Sequence, residues 1–195
     1  MQRREHMDVE LFILDWIQAH LRHPLLDPVM VFITTLGNAG ILWIALTILL
    51  ALKKSTRKTA AALAIALMLC LVSGNLLLKP LVGRIRPFHA QELVTLLIEA
   101  PTDYSFPSGH TMSSFAAATV LLRSDKRMGI PAMILAALIG FSRLYLYVHY
   151  PTDVLAGLLM GCLLGWLAVS IIRRRTGPRP DKKQPETDQE NRLDK

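Results

Sequence analysis

Three short strings of polar residues in this sequence contain the side chains that could do chemistry, and each lies at the edge of a strongly apolar segment. They are residues 79–87, 107–110 and 142–153. Charged groups at the rim of a membrane bundle are costly and usually functional. Together the strings supply cations, two imidazoles and one carboxylate, which is a set suited to phosphoryl transfer through a histidine nucleophile.

The third string places His149 four residues before Asp153, with Pro151 between them. Proline is favoured as the first residue of a helix, so Asp153 falls in the first helical turn, where the helix dipole favours a carboxylate. From there Asp153 could accept the Nδ1 proton of His149 and leave Nε2 free to attack. The alternative is a histidine at the membrane interface, with Asp153 as a plain capping residue.

The second string, Pro107-Ser108-Gly109-His110, is typical of a loop that enters a helix. Ser108 is a good N-cap, and Gly109 lets the backbone come close to a ligand. Free N–H groups at a helix start bind anions, and His110 would stand beside them, able to protonate a leaving oxygen and then deprotonate water. The alternative is a capped helix start with an incidental histidine.

Four cations accompany these groups. Lys79 and Arg86 bracket the first string with Arg84 between them, while Arg143 stands at the end of a later apolar run. Arginine offers a planar fork that matches phosphate oxygens and lysine a point charge, so we expect this cluster to neutralise a phosphate. Snorkelling to lipid headgroups is the alternative for the first string. Asn75 lies four residues before Lys79 on the same helix face and could steer it, or it could make an ordinary interhelical hydrogen bond.

The apolar segments around these strings predict a polytopic helical membrane protein. The chain has 195 residues, of which 52% are hydrophobic. Several apolar runs are long enough to cross a hydrocarbon core of about 30 Å. We expect an all-α transmembrane bundle of about six membrane helices. Residues 1–25 would form an amphipathic N-terminal helix, residues 26–173 the membrane domain that carries the site, and residues 174–195 a disordered cytoplasmic tail.

Basic residues indicate how the bundle is oriented. Lysines and arginines cluster within residues 53–58, 123–127 and 173–175. If each apolar run from residue 41 onward crosses once, all three clusters fall on one side, which the positive-inside rule makes cytoplasmic. The polar strings then share the extracytoplasmic side. We expect six crossings, with residues 8–36 supplying the first; if those residues lie on the surface, the count is five and the amino terminus is outside.

Glycines mark two further features of the apolar runs. Residues 37–40, Gly-Asn-Ala-Gly, interrupt the run at 28–52 and predict a broken helix. In the last run Gly157, Gly161 and Gly165 recur at four-residue spacing, which allows close helix approach. We expect this stripe to pack inside the bundle. A homodimer interface is the alternative, and the sequence leaves the oligomeric state open.

Composition argues against two other classes of function. The net charge of +7 is carried in short connections and in the tail, without a basic surface helix, so we expect no nucleic-acid partner. Cys70 and Cys162 both fall inside apolar runs, which is typical of free packing thiols rather than of a zinc site or a disulfide framework. The sequence shows no carboxylate cluster for a metal, and we expect neither a metal nor a cofactor.

The three strings together resemble the signature of the type 2 phosphatidic acid phosphatase superfamily, which reads K-x6-R-P, P-S-G-H and S-R-x5-H-x3-D. Every position of that signature is filled here, in the same order and, by the topology above, on the same face. The motifs span residues 70–165, and the order of apolar runs extends the resemblance over the whole membrane region. The family includes membrane lipid phosphatases, and the soluble vanadium haloperoxidases share its site.

The resemblance implies a role for each matching residue. His149 would be the nucleophile that forms a phosphohistidine, Asp153 its orienting partner, and His110 the general acid for the leaving group. Arg84 stands at a variable position of the first motif, so its role is open. His89, Glu92, Glu99 and Asp103 lie in the longest outer loop and could touch a headgroup, but solvation is the default. The family needs no metal. The residues that would hold the phosphate are Lys79, Arg86, Ser108, Gly109 and Arg143.

As a function, the resemblance implies an integral membrane phosphatase whose partner is a lipid phosphate in the bilayer. The outward site, the compact chain and the extra cation Arg84 favour the terminal phosphate of an isoprenoid diphosphate, such as undecaprenyl diphosphate. Phosphatidylglycerophosphate and phosphatidate are alternatives, because the motifs bind the phosphoryl group and not the tail. A non-catalytic protein that binds or moves lipid phosphates is disfavoured, because both histidines are present.

Overall fold

The computed structural model describes residues 2–90 and 94–176, and these residues form helices joined by loops, with no strand among them. The all-α prediction is therefore confirmed for this part of the chain. The predicted tail at residues 174–195 overlaps the end of the last helix, and residues 177–195 lie outside the described residues. The α-helices are α1 (Gln2–Leu21), α2 (Asp27–Leu36), α3 (Ile41–Leu52), α4 (Arg57–Cys70), α5 (Lys79–Val82), α6 (Gly109–Ser124), α7 (Lys126–Tyr145) and α8 (Pro151–Thr176).

Three helical stretches are long and apolar enough to cross a membrane. They are Lys54–His89, which contains α4 and α5, together with Lys126–Tyr145 and Pro151–Arg175. Asp27–Leu36 and Asn38–Leu52 pass the same test as a pair and are bent by 41° at the break between them, which adds a fourth candidate span. The predicted interruption of this run is therefore confirmed, and the spans agree with a polytopic membrane protein.

α6 is the centre of the bundle and packs against α4, α7 and α8. Its middle, residues 116–118, is completely buried. The glycine stripe of α8 faces this helix, because a Cβ atom at Gly157, Gly161 or Gly165 would lie 2.4–2.7 Å from carbonyl oxygens of α6. Such distances leave no room for a side chain. The stripe therefore serves helix packing within the chain, as expected from its spacing.

The helix that leads to the first polar string changes its winding before it ends. After α4 the chain continues through residues 71–78 with wide, π-helical turns, and Lys79 begins the short helix α5. Wide turns of this kind are frequent at functional sites. Gly83, with φ of +60°, ends α5 in a left-handed turn. Arg84 and Arg86 follow and lead into the loop that precedes α6, called the outer loop below.

α1 lies against the end of the bundle where α7 ends and α8 begins. Leu14 packs there with Tyr147, and Ile17 packs with Tyr145. The side chain of Gln18 donates a hydrogen bond to the carbonyl oxygen of Tyr145 at 2.7 Å. The helix therefore helps to shape the turn between α7 and α8, which carries the third polar string.

Candidate active site

A pocket of about 310 Å³ opens at this end of the bundle, and residues from all three polar strings line it. Four of the residues predicted from the sequence do not line it, namely Ser108, Asp153, Arg84 and Asn75. The lining residues are Thr34, Thr35, Asn38, Lys79, Arg86, Ile98, Glu99, Pro101, Asp103, Gly109, His110, Arg143 and His149.

His149 is buried in the turn between α7 and α8, with 1% of its surface exposed. Its Nδ1 lies 3.4 Å from Oδ2 of Asp153, and its Nε2 lies 3.1 Å from Nη1 of Arg86. A guanidinium group can only donate hydrogen bonds, so its partner Nε2 presents a lone pair. This places the imidazole proton on Nδ1, facing the carboxylate, and leaves the lone pair of Nε2 facing the pocket.

The carboxylate of Asp153 is fully buried and is held on both of its oxygens. Oδ2 accepts hydrogen bonds from the Ser105 hydroxyl at 2.5 Å and from the Tyr150 N–H at 2.9 Å. Oδ1 accepts from Nη1 of Arg84 at 2.6 Å. A carboxylate held in this way keeps its charge and a fixed orientation toward the imidazole beside it.

Two arginines form the deep wall of the pocket. Arg86 is 3% exposed, and its Nη1 donates to the carbonyl oxygen of Val148 at 2.6 Å. Arg143 is 2% exposed, and its Nη1 donates to the Thr34 hydroxyl at 2.5 Å. In the described part of the chain the Nε of Arg143 has no hydrogen-bond partner. A buried donor of this kind is costly unless a ligand accepts from it, so the wall is suited to an anion.

Asp103 contacts this cation cluster although its side chain is 52% exposed, so the solvation expected from the sequence describes only part of its surroundings. Its carboxylate forms an ion pair with Lys79 and accepts a hydrogen bond from Nη2 of Arg86 at 2.5 Å. Burial alone would raise the pKa of Asp103, but the two cations outweigh this effect and lower the pKa to about 2. An anion of the protein therefore occupies part of the surface where a phosphate would be neutralised.

His110 enters the pocket from the first turn of α6. Its Nε2 donates a hydrogen bond to Oδ1 of Asn38 at 2.8 Å. The imidazole packs so closely on Gly37 that a Cβ atom there would lie 2.7 Å from Cδ2 of His110. Ala39 and Gly40 adopt left-handed conformations, with φ of 49° and 67°, and so turn the chain at the break where Asn38 lies.

Comparison with known proteins places this geometry in a family. A family model described as PAP2 superfamily matches residues 56–177, which is more than half of the chain. The chain belongs to the PAP2 superfamily. An undecaprenyl-diphosphatase from Sulfolobus acidocaldarius is 41% identical over 154 residues, a match that covers 78% of this chain and 73% of that one.

Two crystal structures of PAP2 proteins resemble this chain in fold. That of Aquifex aeolicus LpxE has a TM-score of 0.72 at 34% identity, and the match covers 82% of this chain and 94% of that one. That of a transmembrane PAP2-type phosphatidylglycerolphosphate phosphatase from Bacillus subtilis has a TM-score of 0.73 at 27% identity, covering 88% of each chain. With its apolar helices, this PAP2 chain is a multi-pass membrane phosphatase with a lipid-phosphate function.

Arg84 has a different place from the other cations of the PAP2 site. It contacts Asp153, Thr152 and Glu10, and it does not line the pocket. The suggestion that Arg84 adds a cation for a diphosphate headgroup therefore has no support in the geometry. Arg84 contacts Asp153 on the side away from the pocket. This position depends on Glu10 of α1, a partner that spacing within the motif does not reveal.

The helix start of the PAP2 motif differs in detail from a simple cap. Ser108 is the N-cap of α6, but its hydroxyl contacts the hydroxyl of Thr111 at 2.9 Å, and its N–H donates to the carbonyl oxygen of Asp153 at 3.1 Å. Gly109 lines the pocket, and a Cβ atom there would lie 3.3 Å from Oδ1 of Asn75 and 3.9 Å from Nζ of Lys79. A side chain here would press on Asn75 and require it to shift by a few tenths of an ångström, while it would meet Lys79 at ordinary contact distance.

The electrostatics of this PAP2 pocket keep His149 neutral. Burial, followed by the nearby charges of Arg86 and Arg143, lowers the pKa of His149 to about 3 against the opposing effect of Asp153. The imidazole is thus unprotonated at neutral pH, with a free lone pair on Nε2.

Four residues that support the PAP2 site were missed in the sequence. Ser105 lies in a loop without a distinctive pattern, and Thr34 resembles any helix threonine. Asn38 could have been noticed, because an asparagine between glycines in an apolar run is unusual. Glu10 lies near the charged amino terminus and gave no signal of its own.

Proposed function

We propose that the chain hydrolyses the terminal phosphate of undecaprenyl diphosphate, yielding undecaprenyl phosphate, through a phosphohistidine formed on His149. The observation that carries this proposal is the orientation of that imidazole, with Nδ1 toward Asp153 and Nε2 toward a pocket lined by three cations. Phosphoryl transfer depends mainly on positioning and on neutralising the phosphoryl oxygens, which this arrangement provides.

In the first step of the proposed reaction, Nε2 of His149 attacks phosphorus while the bond to the leaving oxygen breaks and His110 gives that oxygen a proton. Lys79, Arg86 and Arg143 neutralise the phosphoryl oxygens, and the open Nε donor of Arg143 gains an acceptor. In the second step, water attacks phosphorus, its proton passes to His110, and the phosphorus–nitrogen bond breaks to release inorganic phosphate.

The remaining predicted residues have supporting roles in the proposal. Gly109 admits a phosphoryl oxygen to the first turn of α6, and Ser108 fixes that turn through Thr111. No metal is required, because side-chain cations supply the positive charge. In the described part of the chain, no three histidine, cysteine, aspartate or glutamate side chains are grouped as metal ligands would be.

Similarity to relatives decides which lipid we favour. The Sulfolobus acidocaldarius undecaprenyl-diphosphatase is 41% identical over 154 residues, whereas the Bacillus subtilis phosphatidylglycerophosphatase B is 35% identical over 163 residues. Phosphatidylglycerophosphate is therefore the second candidate, and phosphatidate would fit the same chemistry. A non-catalytic binding or transport role is disfavoured, because the proposed nucleophile and general acid both line the pocket and the proposed orienting carboxylate lies beside the nucleophile.

We also propose that the site faces the extracytoplasmic side. Five helical segments, namely the four candidate spans and α6, would cross the membrane instead of the six expected from the sequence. The contacts of α1 with the ends of α7 and α8 support this, because they all lie at the site end of the bundle. α1, within residues 1–25, would then rest on the outer side. Residues 26–173 would form the phosphatase domain, and residues 174–195 would be cytoplasmic.

The proposal is tested by phosphate release from the purified full-length protein in detergent with EDTA present. Undecaprenyl diphosphate, phosphatidylglycerophosphate and phosphatidate are compared side by side, with His149→Ala as the control. We expect preference for the isoprenoid diphosphate and loss of both turnover and phosphohistidine in the variant. Preference for a glycerolipid would show that the proposed substrate is wrong. Residual activity of His149→Ala would show that His149 is not the nucleophile. Activity only with added divalent metal would contradict the metal-free mechanism.

A further inference from the structure

The geometry points to Arg84 and Glu10 as positioning residues for the nucleophile, through which α1 is coupled to catalysis. This inference rests on the proposed function, because it takes His149 as the nucleophile and Asp153 as its orienting partner. Neither Arg84 nor Glu10 lines the pocket, so both would act through Asp153 and the start of α8 instead of touching the substrate.

Arg84 is anchored from several directions at once. Its Nη1 donates to Oδ1 of Asp153 at 2.6 Å and to the hydroxyl of Thr152 at 2.7 Å. The guanidinium carbon lies 4.0 Å from the centre of the Tyr150 ring, which is a cation–π distance. These contacts leave one orientation of the planar fork, and that orientation holds the carboxylate from the side opposite the imidazole.

Glu10 completes the arrangement from α1. Its Oε1 accepts hydrogen bonds from the N–H of Thr152 at 3.0 Å and from the hydroxyl of Thr152 at 2.5 Å, while its Oε2 forms an ion pair with Arg84. Glu10 is only 9% exposed. A carboxylate at the first turn of α8 is favoured by the helix dipole, so Glu10 both caps that helix and neutralises the arginine.

The two oxygens of Asp153 have separate tasks in this arrangement. Oδ2 faces His149 and is fixed by the Ser105 hydroxyl and the Tyr150 N–H, whereas Oδ1 is fixed by Arg84. Without the arginine, Oδ1 would be a buried acceptor without its charged partner, and the carboxylate could rotate away from the imidazole. Groups that orient a functional side chain in this way commonly change activity by about 10- to 100-fold when removed.

The experiment compares wild type with Arg84→Gln, Arg84→Lys and Glu10→Gln as full-length proteins, each checked for monodispersity and thermal unfolding in detergent. Arg22→Gln is the matched control, because Arg22 also anchors α1, through the carbonyl oxygen of Thr95. We expect kcat of Arg84→Gln to fall by about 10- to 100-fold with KM within about twofold, partial rescue by lysine, and phosphohistidine formation slowed to the same extent as kcat.

The pH dependence of kcat/KM separates positioning from a merely structural role. Loss of the Arg84 cation favours protonation of His149, so the acidic limb should move to higher pH; loss of the Glu10 anion should move it to lower pH. Six charged or titratable groups surround the His149–Asp153 pair and act on this limb. They are Glu10 of α1, Arg84 and Arg86 before the outer loop, His110 of α6, Arg143 of α7, and Tyr150 of the turn itself.

Several results would overturn the inference. One is a kcat of Arg84→Gln within twofold of wild type, and another is an effect of that substitution mainly on KM. A third is that the acidic limbs of Arg84→Gln and Glu10→Gln do not move in opposite directions. A fourth is an equal loss of kcat in Arg22→Gln. If Arg84→Gln does not fold, Glu10→Gln carries the test of the pH limb, and Arg84→Lys, which keeps the charge but loses the planar fork, carries the test of kcat against KM. Failure of the proposed function looks different, because then wild type would be inactive or His149→Ala would remain active.

Discussion

At the scale of single residues, the proposed general acid has a partner that the family motifs do not contain. The Nε2 proton of His110 is bound by the amide oxygen of Asn38 at 2.8 Å, so Nδ1 is the nitrogen left to exchange a proton with substrate. Asn38 reaches this position because the chain is left-handed at Ala39 and Gly40. The break between α2 and α3 therefore positions Asn38 beside His110 and also bends the span.

Asn38→Ala should slow the step in which the leaving oxygen is protonated. We expect kcat on a lipid phosphate to fall about tenfold, less than the roughly 10²–10⁴-fold that general acid catalysis contributes because His110 itself remains, and turnover of p-nitrophenyl phosphate, whose leaving group needs no proton, to change less than about twofold. Thr35→Val is the control, because the Thr35 hydroxyl lies on the same rim but donates to the carbonyl oxygen of Phe32. Equal losses on both substrates would contradict the assignment.

Asp103 shows that the cation cluster is not free before substrate arrives. Its carboxylate contacts Lys79 and Arg86, two of the three cations that would neutralise a phosphate. An incoming phosphate must therefore displace this carboxylate or share its donors. The competition weakens phosphate binding, and it favours release of inorganic phosphate at the end of the proposed reaction.

Asp103→Asn should bind inorganic phosphate more tightly, because an amide competes poorly with phosphate for a guanidinium and an ammonium. We expect the inhibition constant for phosphate to fall about tenfold, which corresponds to about 1.4 kcal/mol. Asp125→Asn removes the same charge at the opposite end of the bundle, where Asp125 caps α7, and should leave the inhibition constant unchanged. Unchanged or weaker inhibition in Asp103→Asn would refute the competition.

At the scale of elements, the contact between α6 and α8 holds the two histidines that we propose to be catalytic in register. α6 begins at the second motif and α8 at the end of the third, so any separation of these helices would separate His110 from His149. The glycine stripe brings the helices together at backbone distance. Ser108 adds a direct link, since its N–H donates to the carbonyl oxygen of Asp153.

Gly161→Ala should test how far this contact supports the fold. Its Cβ atom would lie 2.4 Å from the carbonyl oxygen of Met112, so the helices must move apart. Overpacking of this kind costs about 1–3 kcal/mol, and we expect a lower thermal unfolding temperature in detergent together with reduced kcat. Leu159→Ile, on the exposed face of α8, is the control. Unchanged stability in Gly161→Ala would show that the contact is looser than the structure indicates.

At the scale of the whole molecule, the contacts divide the chain into two ends. Residues of α1, the outer loop and the turn before α8 meet at the site end. At the other end Arg173, from the third basic cluster, donates a hydrogen bond to the carbonyl oxygen of Arg123, from the second basic cluster. In the proposed topology that basic end is cytoplasmic, as the positive-inside rule predicts. The topology with five crossings then leaves α1 outside.

Single cysteines in a background lacking Cys70 and Cys162 test this topology in intact cells. Ala19→Cys in α1 and Thr102→Cys in the outer loop are exposed at the site end, and Ser124→Cys is exposed at the basic end. We expect a membrane-impermeant maleimide to label the first two and to reach the third only after lysis. Protection of Ala19→Cys in intact cells would restore the six-crossing count, and labelling of Ser124→Cys would reverse the orientation.

The sequence by itself determined the membrane class and the chemically active groups, because hydropathy and motif spacing are local properties of the chain. Lys79, Arg86, Gly109, His110, Arg143 and His149 are found at one pocket as their pattern predicted. The break at residues 37–40 and the packing stripe of α8 are likewise predicted by glycines that lie close together in the sequence.

Only the tertiary structure decided which groups face the phosphate and which support those that do. Arg84 and Arg86 are two residues apart, yet one braces Asp153 and the other lines the pocket. The partners that determine this lie far away along the chain: 72 residues separate Asn38 from His110, 69 separate Arg84 from Asp153, and 142 separate Glu10 from Thr152. Such pairs depend on how helices pack, which motif spacing does not encode, so the contacts that Asn38, Ser105, Asp103 and Glu10 make are seen only in the fold.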